Sequence, residues 1–269
     1  MKRILAILTL LFSTSAFAAP MLINDNYVGA DNHGYGDVIG EVSKFGISSM
    51  LVDLVGSQLT VTINTPFGAN GLGTFVSATS GSLVGPNKGI GYGDLFLSST
   101  GWNPSGTAPY VTDDNSNGTN WDFGISLTDR WSTTKSTDIG ATLYSLSGTN
   151  NQNAYLTEDF LSSATFRNGQ EAAVDTRGSN TYVSALGNSA AFVATNTTLT
   201  FTLDISGTAL QNASNIGLHW TMTCGNDTIE GGYNVPEPAT ILLMLLGVLC
   251  LSVAGFHRRK VVVASNTVD

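Results

Sequence analysis

The sequence predicts an all-β fold, an antiparallel β-sandwich of jelly-roll or lectin-like kind. Three observations carry this. Two segments alternate strictly between polar and apolar residues, several further short apolar runs are separated by Gly, Ser, Asn and Asp, and helix-start signals are few. In Ser57–Ile63 the alternation places Leu59, Val61 and Ile63 on one face, and in Thr198–Ile205 it does the same for Leu199, Phe201, Leu203 and Ile205.

In chain order, the expected strands are Phe45–Leu54, Gln58–Asn64, Gly93–Ser98, Trp121–Thr128, Ala141–Leu146, Thr181–Leu186, Thr198–Ile205 and Ile216–Met222. Thr157, followed by Glu158 and Asp159, has the chemistry to cap a short helix to Ala164, and Gln211–Ser214 adds one turn. The polar stretch Asn103–Asn120 reads as a long loop at one end of the sandwich. No period of 20–50 residues is present, which excludes a solenoid or propeller; a barrel is the other architecture these strands allow.

The two ends carry different signals. Residues 1–18 read as a secretory signal peptide: Lys2 and Arg3 are followed by an apolar run from Ile4 to Phe12, then by the small residues Ala16 and Ala18, with Ala19 as the first mature residue. Residues 19–234 are then the exported domain. At the other end stand Pro236-Glu237-Pro238, the uncharged run Ala239–Phe256, and the cluster Arg258-Arg259-Lys260. Eighteen helical residues at about 1.5 Å each cover roughly 27 Å, close to the hydrocarbon thickness, so 239–256 is expected to be a transmembrane helix. The basic cluster stays cytoplasmic, which places the body of the chain outside and leaves 261–269 as a short cytoplasmic tail. Two prolines keep the segment before the helix extended and out of any strand ladder.

The order Pro-Glu-Pro, apolar helix, basic cluster over residues 235–260 resembles the PEP-CTERM sorting signal of exported proteins of Gram-negative bacteria. The resemblance implies an exosortase-type processing enzyme as partner and passage through the inner membrane before processing. It also implies a final place at the cell surface or in an extracellular matrix of the biofilm kind, where exopolysaccharide is a further candidate partner.

Charge narrows the function. Between the two end segments six lysines and arginines face eighteen aspartates and glutamates, and such an acidic surface repels phosphate backbones, which argues against nucleic-acid binding. Cys224 is the only thiol of the exported domain, because Cys250 lies in the apolar run. It reads as a small buried apolar residue.

Asp113, Asn115 and Asn117, followed by Gly118, match a D-x-N-x-N-G pattern whose oxygens could wrap calcium; the same residues also favour a solvated turn. The twelfth position, where an EF-hand needs a bidentate Glu, is Gly124. Asp25, Asp31, His33, Asp37 and Glu41 form a second acidic group near the first strand, with ordinary loop polarity, cation binding and catalysis as its readings. His219, beside Trp220 in a strand, reads as a core or edge residue. Among the tryptophans, Trp121 and Trp220 fall inside strand patterns and read as core, whereas Trp102 and Trp131 adjoin polar loops and are candidates for stacking on a sugar. No catalytic residue is assigned, since no nucleophile elbow, zinc-protease or phosphate-loop motif occurs. The expectation is an exported, non-enzymatic protein with a structural or glycan- or calcium-binding role. The alternatives are a dedicated carbohydrate-binding module and a glycoside hydrolase or lyase on the same sandwich, the last requiring two carboxylates across a cleft.

Overall fold

The two alternating segments are hydrogen-bonded partners at the centre of one sheet. In the computed structural model, β3 (Gln58–Asn64) and β11 (Thr198–Asp204) pair antiparallel, with Leu59 opposite Leu203, Val61 opposite Phe201 and Ile63 opposite Leu199. All six side chains are buried. At roughly 1.5–3 kcal/mol for each fully buried aliphatic or phenyl side chain, this row alone is a large part of what holds the sheet. The opposite face carries threonines, with Thr62 Oγ1 3.3 Å from Thr200 Oγ1. The structure describes residues 19–72, 89–130, 139–147, 153–157, 166–167, 169–236 and 247–248.

The first sheet has the order β1-β2-β3-β11-β10, where β1 is Met21–Asn24, β2 Ser49–Val55 and β10 Ala190–Ala194. The second has the order β13-β12-β4-β5-β6-β9. Its strands are β4 (Leu95–Ser98), β5 (Phe123–Leu127), β6 (Ala141–Leu146), β9 (Val183–Ala185), β12 (Asn215–Thr221) and β13 (Thr228–Asn234). Every pairing is antiparallel. The two sheets share one apolar core to which β2, β3 and β11 contribute from one side and β4, β5, β12 and β13 from the other, so the expected sandwich is the observed one. Three consecutive strands, β1 to β3, lie side by side in one sheet, unlike the interleaved Greek keys of the jelly-roll variety.

A third layer was not expected. β7 (Tyr155–Thr157) and β8 (Glu171–Val174) form a hairpin on the outer face of the second sheet, where Phe96, Trp121, Leu146, Ala154, Tyr155 and Val174 make a second, smaller core. This explains the burial of β4, β5 and β12 on both faces. In β12, Ile216, Leu218 and Trp220 point to the main core, so the alternate residue His219 faces the hairpin. Gly124 makes the approach possible: a Cβ there would stand 2.6 Å from Val174 Cγ2.

Several element boundaries differ from expectation. Phe45 belongs to a helical turn, Val42–Phe45, that closes before β2 begins. Thr157 ends β7, and the rest of that expected helix, 158–164, lies outside the described residues. A 3-10 turn covers Ala209–Asn212, slightly ahead of the expected position. Residues 19–235 form one compact unit. Among the described residues no helix is long and apolar enough to cross a membrane, and the expected spans 1–18 and 239–256 lie outside those residues apart from Gly247 and Val248.

Candidate functional site

β12 and β13 set the centre of the site. Their register places His219 directly opposite Glu230, and the alternation that sends Trp220 and Ile229 into the main core sends this pair toward the hairpin layer. β8 brings Glu171 to the same place. His219 is fully buried. Its Nε2 lies 2.7 Å from the backbone carbonyl of Glu171 and its Nδ1 lies 2.8 Å from Glu230 Oε1 and 3.9 Å from Glu171 Oε2. A carbonyl only accepts, so Nε2 carries a hydrogen and Nδ1 turns to the two carboxyl groups. The other oxygen of Glu230 accepts from the indole Nε1–H of Trp102 at 2.8 Å. Burial pushes Glu171 and Glu230 up to about 8 and pushes His219 down, so the buried pair favours its neutral forms.

Around this centre lies a buried polar shell. The Tyr27 hydroxyl is 3.0 Å from Asp113 Oδ2 and 3.3 Å from Gln170 Oε1, and Asp113 Oδ1 accepts from the Ser105 amide at 2.7 Å. Burial, with Glu230 close by, raises Asp113 to about 7. Asp113 is thus part of the interior network. Asn117 serves its own turn: its Oδ1 accepts from the Asp114 amide at 3.3 Å and its Nδ2 donates to Asp114 Oδ1 at 2.9 Å. The Asn115 amide donates to the Gly169 carbonyl at 2.7 Å.

Glu230 and Trp102 also line a cleft of about 890 Å³. Tyr110, edge-on to Trp102 and stacked on Tyr27, continues the aromatic wall, and Asn24, Asn26, Asn215 and Asn234 add amide groups. Asp25 and Asp37 lie on the lining as well and gather with Asp227, whose carboxylate accepts from the Ile47 and Thr228 amides. Arg167, fully buried, lies among these three acids and donates to the carbonyls of Val28, Gly36 and Asp37. Burial, then the nearby Asp37, raises Asp25 to about 8. Of the acidic group expected near the first strand, Asp25 and Asp37 come together. Asp31 instead pairs with His33 at 3.3 Å, and Glu41 with Lys44 at 2.7 Å.

Trp121 and Trp220 are core residues, as their strand patterns imply, and Cys224 is buried inside the main core. Trp102 stands on the cleft; Trp131 lies outside the described residues, as do Glu237, Pro238, Arg258, Arg259 and Lys260, and Ala16 and Ala18. Glu171, Asp227 and Glu230 were missed. The signal available was a carboxylate inside a short apolar strand, as in Glu171-Ala172-Ala173-Val174 and Thr228-Ile229-Glu230.

Fold and site define an all-β protein of antiparallel sheets with a buried His–Glu centre opening on an aromatic, carboxyl-lined cleft. Residues 234–260 match the PEP-CTERM protein-sorting motif, so the chain carries the sorting signal of exported proteins processed by exosortase-type enzymes. No curated protein and no solved structure matches the chain.

Proposed function

We propose that this exported, exosortase-sorted protein is a non-enzymatic saccharide-binding component of the cell envelope or extracellular matrix, and that Trp102 forms the stacking wall of its binding cleft. In this reading 1–18 is removed on export, 239–256 holds the chain in the inner membrane until processing, and the mature domain then meets exopolysaccharide outside. The observation that carries the reading is the composition of the cleft. A flat indole and a phenol supply apolar faces, and a ring of asparagines and carboxyl groups supplies hydrogen-bond partners for hydroxyls, the mixture expected of a small-molecule site. The indole is fixed by Glu230, so it meets a ligand with little rotamer entropy left to lose.

Binding fits this cleft better than hydrolysis does. Glycoside hydrolysis uses one ionised carboxylate facing one protonated carboxyl. Here Glu230 is already engaged by His219 and by the Trp102 indole, and Asp25 is gathered with Asp37 and Asp227 rather than set across the cleft from a partner acid. Glycan-array and affinity-electrophoresis binding tests the proposal. Trp102→Ala is expected to weaken a bound polysaccharide at least tenfold, about 1.4 kcal/mol, with Trp102→Phe intermediate and Trp131→Ala scoring the second stacking candidate. A flat array with folded protein would end the saccharide reading. Mass spectrometry of the surface form tests the sorting reading separately: a mature C-terminus beyond Lys260 would contradict processing.

A further inference from the structure

We propose that Glu171, His219 and Glu230 form a binding site for one divalent transition-metal ion of the zinc class, reached through the cleft. This goes beyond the saccharide reading and does not depend on it.

The geometry is the first support. Two atoms bound to one zinc at about 2.0–2.2 Å are at most roughly 4.4 Å apart. His219 Nδ1 is 2.8 Å from Glu230 Oε1 and 3.9 Å from Glu171 Oε2, and the three donor atoms lie within 4.8 Å of one another. Modest carboxylate rotations bring all three onto a common ion. The orientation of the imidazole is the second support. Metal-binding histidines characteristically donate the far ring N–H to a carbonyl or carboxylate, which fixes the tautomer and aims the other lone pair. His219 Nε2 is held in this way by the Glu171 carbonyl at 2.7 Å, and the nitrogen left over is the one that faces both carboxyl groups. Trp102 does the same for Glu230: it occupies Oε2 and leaves Oε1 to His219.

Charge is the third support. Glu171, Glu230 and the adjacent Asp113 are all buried, and among the described residues no lysine or arginine pairs with any of them. Buried carboxylates stay ionised only when paired or coordinated to a metal. A dication between the glutamates supplies the missing charge at the point where the structure otherwise needs a shared proton. One imidazole with two carboxylates selects zinc or its transition-metal neighbours over calcium or magnesium, which take oxygen donors alone. Three protein donors leave a fourth position for water, and Glu230, on the cleft wall, gives the ion its way in.

The test uses the full chain, solubilised in detergent, stripped with chelator and titrated with Zn²⁺ alone against a chromophoric competitor; no saccharide is present, so failure of the cleft proposal leaves this result untouched. The expected result is one zinc per chain, weakened at least tenfold by Glu171→Gln and by Glu230→Gln and unchanged by Glu41→Gln at the surface. Co²⁺ should give visible d–d bands of a nitrogen- and oxygen-ligated site, absent in His219→Gln. If the glutamine variants do not fold, X-ray absorption of zinc-loaded wild type decides: one imidazole in an otherwise oxygen shell supports the site, and a shell with no histidine overturns it. Folded wild type that takes up no stoichiometric zinc, or folded glutamine variants with unaltered affinity, also overturn it.

Discussion

Asp94 ties three parts of the sandwich together, and its replacement should be among the most damaging single changes in the domain. The side chain is fully buried between β4, β5 and β8. Its Oδ1 accepts from the Leu127 amide at 3.0 Å and from Arg130 Nη1 at 3.0 Å, and its Oδ2 accepts from the Val174 amide at 2.8 Å and Arg130 Nη2 at 3.2 Å. Burial pushes the carboxyl up, but four N–H donors converge on two oxygens, and a proton on either would face one of them; the ionised form is the one this geometry accommodates. Asp94→Asn keeps the shape and replaces one oxygen with an NH₂ that meets two donors. It also leaves the Arg130 guanidinium buried without its counter-charge. Breaking a buried pair from one side costs about 3–5 kcal/mol. For a domain of this size, at about 2–4 °C per kcal/mol, Tm should fall by roughly 6–20 °C. Differential scanning calorimetry, with urea unfolding as a second measure, reads the loss. Adding Arg130→Met to the variant should recover part of it, because the unpaired charge is gone. A loss below about 1 kcal/mol, or no recovery in the double variant, would refute the reasoning.

Further expectations concern the acids, the packing and the core. Asp25, with Asp37, Asp227 and Arg167 facing it, has a folded pKa of about 8 against roughly 3.9 unfolded, so its contribution is fully present below about pH 4 and is lost as pH rises through 8. Unfolding monitored by fluorescence should therefore show higher stability at pH 5 than at pH 8.5, and Asp25→Asn should flatten that difference; equal slopes in both proteins would contradict it. Gly124→Ala should cost about 1–3 kcal/mol by driving a methyl into Val174, measurable by urea denaturation, and should disturb the hairpin that presents Glu171. Phe201→Ala, at the centre of the main core, should cost about 3–5 kcal/mol on the same assay.

The alternation of β3 and β11 was legible because each has one wet face and one buried face, and these strands were placed almost to the residue. The doubly buried strands of the second sheet carry no such period, yet the strands around Leu95–Ser98 and Phe123–Leu127 were still found from their apolar runs. β1, β10 and β13 were not. They are edge strands, and β13 reads Thr-Ile-Glu-Gly-Gly-Tyr-Asn, where two glycines and a charge mask the pattern. Those same irregularities serve packing and the site: a Cβ at Gly231 would meet Ile23 Cγ2 at 2.5 Å, and Glu230 faces His219. Trp102 was readable as a stacking candidate from the polar loop beside it. The His–Glu centre was not, because residues 171, 219 and 230 come together only through strand register and the hairpin layer.

The pairing of β3 with β11 joins strands from opposite ends of the exported body. The β2–β3 hairpin can form early, but β3 keeps a bare edge until β11, far along the chain, reaches it. Contacts so distant in sequence close slowly. Topology therefore leaves an unpaired strand that needs guarding until its partner arrives.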